Sequence, residues 1–97
     1  MSREERFGIG AKIDALLLEL LETIRKASYA EINSKSVLLK EAIVEVDSIR
    51  FFMQLAWEVR LIPHKEFEKI GTGVEEVGRM LGGWHRGILT KTPPPEK

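Results

Sequence analysis

The chain contains no cysteine, which excludes a disulfide scaffold, thiolate zinc sites and a cysteine nucleophile, and gives no sign of an oxidising compartment. It also lacks an excess of either charge: 15 Lys+Arg stand against 15 Asp+Glu. Nucleic-acid binding would therefore need basic residues segregated on one surface, or a basic partner. Long hydrophobic runs are missing too. The longest, Ala15 to Leu18, is far short of the roughly 20 residues that span a bilayer, and Met1-Ser2-Arg3-Glu4-Glu5-Arg6 leads into no signal-peptide core. These absences predict a soluble, cytoplasmic protein with no membrane association. A length of 97 residues allows one domain, whose small core leaves apolar surface for a partner.

What is present is helical patterning. Ile13, Leu16, Leu17, Leu20, Leu21, Ile24 and Ala27 recur at steps of three and four, which predicts a helix from Ile9 to Ala30 with Leu18 left off its apolar stripe. Asn33, Ser34 and Ser36 are each suited to cap a second helix. No Gly or Pro interrupts the chain from there to Ile62, and Leu38, Ala42, Val46, Ile49, Met53, Ala56 and Val59 run down one face. Phe51, Leu55 and Trp57 fall on other faces, so the apolar surface wraps most of the circumference; Phe52 and Trp57 are candidates for packing between helices or subunits. Pro63 suits the start of a third helix, from His64 to Ile88, with the stripe Phe67, Ile70, Val74, Val77, Leu81, Trp84 and Ile88. Glycines in a helix interior cost about 0.5–1 kcal/mol each relative to Ala. Gly71, Gly78 and Gly82 share one side, where they would let another backbone approach closely. The expected architecture is an all-α, antiparallel up-down bundle of three helices over residues 1–89, followed by a disordered Pro-rich tail over residues 90–97.

Catalytic and ligand signatures are sparse. Gly71-Thr72-Gly73 and Gly82-Gly83 lack the strand and the lysine of a phosphate-cradling loop, and His64 and His85 have no partner set for a metal; neither a cofactor nor a metal is expected. Arg79 and His85 have a spacing similar to the arginine–histidine signature of HEPN-type ribonucleases, although Met80 stands where those domains usually carry a polar residue. Arg50 interrupts the apolar run Ile49-Arg50-Phe51-Phe52, so it must pair with a carboxylate, for which Asp47 is the local candidate, or project into a polar groove. Arg60, Arg79 and Arg86 would join Arg50 on one surface if the second and third helices are antiparallel.

The segment Val74-Glu75-Glu76-Val77-Gly78-Arg79-Met80-Leu81-Gly82-Gly83-Trp84 closely resembles the C-terminal helix of the accessory variability determinant (Avd) proteins of diversity-generating retroelements. Arg6-Phe7-Gly8-Ile9-Gly10 is similar to that family's Arg-aromatic-x-x-Gly helix start, and Ile49-Arg50-Phe51-Phe52-Met53-Gln54-Leu55-Ala56 to its central Leu-Arg-Phe segment. The latter two blocks also resemble the related four-helix proteins encoded in ribosomal RNA intervening sequences, which remain the alternative. The Avd resemblance implies a non-catalytic helical protomer that assembles into a pentameric barrel, binds the retroelement's reverse transcriptase, and with it engages template-repeat RNA and supports mutagenic cDNA synthesis. It assigns nucleic-acid or polymerase contacts to Arg50 and Arg79, to which Arg60 and Arg86 are added by their placement, and gives Gly78, Gly82 and Trp84 to helix packing or assembly. Family members usually have a further helix ahead of the Arg-Phe start, so a shortened, three-helix version is expected.

Overall fold

The computed structural model describes residues 3–91, in three α-helices: α1 (Arg3–Tyr29), α2 (Ile32–Glu58) and α3 (His64–Lys91). α1 starts well before Ile9. The sequence of its first turn is made of Arg and Glu, which are strong helix formers, and the helix continues through Gly8 and Gly10. α3 runs past Ile88 to Lys91, and the rest of the Pro-rich tail lies outside the described residues.

Both ends of α2 depart from the expected positions. None of Asn33, Ser34 and Ser36 caps it. Glu31 is the N-cap residue, extended and without a side-chain cap bond, and the first helical bond runs from the Lys35 N–H to the Glu31 carbonyl at 2.7 Å. The connection from α1 is so short that the chain turns straight back into helix, and the three polar residues are absorbed into its first turns. At the other end α2 stops at Glu58. Arg60 adopts a left-handed φ of 62°; its N–H bonds the Trp57 carbonyl at 3.0 Å, and the Leu61 N–H bonds the Ala56 carbonyl at 2.7 Å. These are the paired closing bonds of a Schellman motif, built here without the glycine that usually announces one.

The helices alternate in direction. Thr23 of α1 meets Glu45 of α2, while Arg50 and Ser36 of α2 meet Glu75 and His85 of α3, an antiparallel register in both pairs. α2 is the central element: no Cα of α1 lies within 8 Å of one of α3 among the described residues. The core follows from that placement. Leu39, Ala42, Val46, Ile49, Met53 and Ala56 of α2 are all buried, with Leu16, Leu20 and Ala27 from α1 and Leu81 and Ile88 from α3. Leu18 is 67% exposed, as its position off the stripe implies, but Leu21, which belongs to the stripe, is 62% exposed as well. Its flank of α1 faces the side that α3 leaves open.

Candidate interaction surface

Arg50 sits on the flank of α2 that faces α3. Its guanidinium donates from Nε and Nη2 to the two carboxylate oxygens of Glu75, at 2.9 and 3.1 Å, and from Nη1 to Asp47 one turn earlier on α2. A two-pronged pair of this kind fixes the orientation of both partners. The guanidinium reaches α3 because position 78 has no side chain: a Cβ built on Gly78 would lie 2.8 Å from Arg50 Nη2. Gly78 thus makes room for an arginine head rather than for a helix backbone. Gly71 has nothing within 4 Å of the corresponding point, and Gly82 has only the Arg86 guanidinium of its own helix. Within the protomer, close approach on the glycine side is therefore confined to Gly78.

Arg79 and Arg86 lie seven residues apart, so they share the outward face of α3. Arg79 is exposed, with only a 4.0 Å approach to Glu76. Arg86 is exposed, has no carboxylate within 4.0 Å among the described residues, and lays its guanidinium back over Gly82 and Gly83, at 3.5 and 3.9 Å from the points where their Cβ atoms would be. That direction, toward the N-terminus of the helix, brings its charge closer to Arg79. The two glycines leave the surface between the arginines flat. Arg60, by contrast, lies in the α2–α3 turn, roughly 30–40 Å along α3 from Arg86 at 1.5 Å per residue. The structure therefore pairs Arg79 with Arg86, commits Arg50 to Glu75 and Asp47, and leaves Arg60 apart.

The aromatic candidates occupy separate places. Trp57 stacks on Phe67 with ring centroids 4.9 Å apart and lies beside His64 at 5.6 Å, closing the turn end of the α2–α3 pair. Phe52 packs against the core, edge-on to Phe51 at 5.1 Å and with Lys12 Nζ of α1 5.8 Å from its ring centre. Trp84, also packed on the core, receives Lys35 Nζ at 5.7 Å. All three hold helices together.

His85 turns toward α2, where Nε2 is 3.4 Å from Ser36 Oγ. Arg79, six positions earlier, projects about 120° away around the helix axis at 100° per residue. Within the protomer the two side chains thus leave α3 in different directions. Among the described residues no group of three or more His, Asp or Glu side chains is placed to hold a metal ion, and no helix is long and apolar enough to cross a membrane.

Sequence reasoning missed Glu75 as the partner of Arg50, because the pair is 25 residues apart and depends on the antiparallel register. It also missed Glu45. That carboxyl is pushed above its ordinary range by burial between α1 and α2, with Glu41 and Glu19 adding to the effect and the Thr23 bond opposing it. Its Oε1 is buried without a hydrogen-bond partner.

Among the described residues the fold is all-helical, three antiparallel helices with an arginine pair on the outer face of the last one. The chain belongs to the bAvd-like family, whose model matches residues 1–88. That span takes in α1, α2 and all but the last three residues of α3, including both segments joined by Arg50 and Gly78. No curated protein and no solved structure matches the chain.

Proposed function

We propose that the protein is a non-catalytic accessory subunit of a diversity-generating retroelement, which binds the element's reverse transcriptase and template-repeat RNA as a homo-oligomer, a pentamer in the form the family resemblance gives it. The observation that carries this reading is the family membership over residues 1–88. The surface is compatible with it: in a chain of zero net formal charge, Arg79 and Arg86 are two exposed cations on one face of α3, with Glu76 4.0 Å from the first, and exposed arginines sharing a face are what contact with a nucleic-acid backbone uses. Arg79 and Arg86 are the contact residues, with Arg60 a separate contact at the turn. Arg50 acts by holding α3 on α2.

The test is co-purification of the chain with the reverse transcriptase encoded beside it and with the template RNA, followed by cDNA synthesis from the reconstituted complex. The expected result is a stable complex with about five copies of the chain, the closed ring of the resemblance. The double substitution Arg79→Glu/Arg86→Glu is expected to keep helix content and lower cDNA synthesis at least tenfold, the effect of somewhat more than 1.4 kcal/mol of lost binding. Full synthesis by that variant removes the patch from the reading, and failure to bind the polymerase at all overturns the reading itself.

A further inference from the structure

A pocket of about 140 Å³ opens between α2 and α3 beside the Arg50–Glu75 pair. That volume is far below the roughly 300–1,000 Å³ of sites for drug-sized ligands, and close to the roughly 150 Å³ that holds one benzene-sized ring. The lining is divided. Met53 is buried in the core, and Phe67 and Val74 pack against that core; these three supply apolar walls. Arg50, Gln54 and Glu75 supply a polar rim that offers both kinds of hydrogen-bonding group. Arg50 has five N–H donors and commits three of them to Glu75 and Asp47. On the acceptor side stand the Glu75 carboxylate and the amide oxygen of Gln54, whose Nε2 donates to Glu58 Oε2 at 3.1 Å.

Gly71 stands at this pocket on α3, and a Cβ there would meet nothing within 4 Å. A glycine inside a helix is unfavourable, and here the missing side chain leaves the pocket open. The arginine pair lies on the same side. At about 100° per residue, Gly71, Glu75, Arg79 and Arg86 fall within about 80° of one another around α3. At 1.5 Å per residue they follow each other along about 22 Å of the helix, with Arg79 about 12 Å beyond Gly71. Pocket and cations thus form one continuous track.

From this arrangement we infer that a single-stranded nucleic acid lies along this side of α3, its phosphates on Arg79 and Arg86 and one pyrimidine base inserted in the pocket beside Gly71. The inference rests on the nucleic-acid part of the proposed function and gives it a base-selective subsite. A cationic track beside an aromatic ring is the general construction of single-strand binding; here the ring is Phe67, which lines the pocket while Trp57 stacks on it at 4.9 Å. The Arg50 charge is balanced by Glu75, so the pocket suits an uncharged base and not a phosphate. A single pyrimidine ring fits the volume, and its edge carries both donors and acceptors for the rim. A purine, with two fused rings, does not fit. An apolar side chain of a protein partner fills the same space but leaves the hydrogen-bonding groups of the rim unused.

The test measures binding of octauridylate and octaadenylate to the purified full-length chain by fluorescence anisotropy at low salt, with helix content checked by circular dichroism. The wild-type chain is expected to bind octauridylate about fivefold or more tightly than octaadenylate, the lower end of what one base–aromatic contact is worth. Gly71→Leu, whose side chain enters the pocket, is expected to lose that preference and to bind octaadenylate as the wild type does. In the wild-type chain an isotope-labelled Met53 methyl is expected to shift with octauridylate and not with octaadenylate, which reads the pocket whatever the variant does. Equal binding of the two octamers, or a preference that survives Gly71→Leu, overturns the inference and leaves nucleic-acid contact standing. No binding of either octamer overturns both. A Met53 methyl that answers to N-acetylphenylalanine amide but not to octauridylate gives the pocket to a protein side chain, and overturns the inference as well.

Discussion

The left-handed backbone at Arg60 costs about 1–2 kcal/mol for a residue that carries a Cβ. Arg60→Gly keeps both closing bonds of the motif and is expected to stabilise the fold by about 1 kcal/mol, raising the thermal midpoint by roughly 4–8 °C in a domain of this size. Thermal unfolding followed by circular dichroism reads this directly, and an unchanged or lower midpoint would show that the arginine side chain contributes contacts of its own. The second residue out of balance is Glu45. The Thr23 hydroxyl is 3.0 Å from both the Glu19 carbonyl oxygen and Glu45 Oε2, yet it has a single proton to donate. When Glu45 is protonated the conflict ends: the carboxyl donates to Thr23 Oγ1, and Thr23 donates to the carbonyl. This agrees with a carboxyl held above its ordinary 4.5 by burial and by its acidic neighbours. A raised carboxylate value means that the folded chain keeps a proton which the unfolded chain releases. The associated stability is complete below pH 4.5 and is lost as pH rises through the raised value. Glu45→Gln supplies a permanent donor at this position, so its gain in thermal midpoint is expected to be larger at pH 8 than at pH 4. Equal gains at both would place the effect elsewhere than in the titration of Glu45.

At the scale of the helix, α3 carries its glycines for unlike reasons. A Cβ at Gly71 meets nothing, whereas one at Gly78 meets the Arg50 guanidinium. Gly71→Ala is therefore expected to gain the full helix-propensity difference of about 0.5–1 kcal/mol. Gly78→Ala is expected to return most of that gain by disturbing a half-exposed pair of the kind that contributes about 0.2–1 kcal/mol, leaving a net change within about 0.5 kcal/mol of zero. Chemical denaturation of the two variants side by side separates these outcomes, and equal stabilisation by both would show that Arg50 moves aside without loss. The three helices themselves were legible in the sequence, because the recurrence of Leu, Ile and Val records which side faces inward. Their ends were less so. Arg60 takes a conformation that its residue type does not advertise, and at Glu31 a short connection, not a polar cap, sets the start. The candidate surface was half legible: Arg79 and Arg86 fall on one face by spacing alone, but nothing near Arg50 in sequence reveals that it is claimed by Glu75.

The whole molecule is built around α2. Ile49 is 1% exposed at its centre, and Ile49→Ala is expected to cost about 2–5 kcal/mol, a large share of the total stability of a small domain. The same change at Leu18, 67% exposed, is expected to shift stability by less than about 0.5 kcal/mol. Association adds a dependence on concentration. For the homo-oligomer of the proposed function the unfolding midpoint rises with protein concentration by mass action, and a hundredfold dilution series is expected to lower it by several degrees. A midpoint independent of dilution would mean that the protomer is stable alone.

Because no Cα of α1 comes within 8 Å of one of α3, the close backbone contacts between helices, among the described residues, all join helices that are neighbours along the chain. No distant closure has to be waited for. Such a chain has the short sequence separations of the fastest-folding topologies, with rates in the microsecond to millisecond range. The arrangement is also asymmetric in time: either outer helix can peel away while the other stays docked, but α2 cannot leave without dismantling both. Amide protons of α2 should therefore exchange last and those of α1 and α3 earlier.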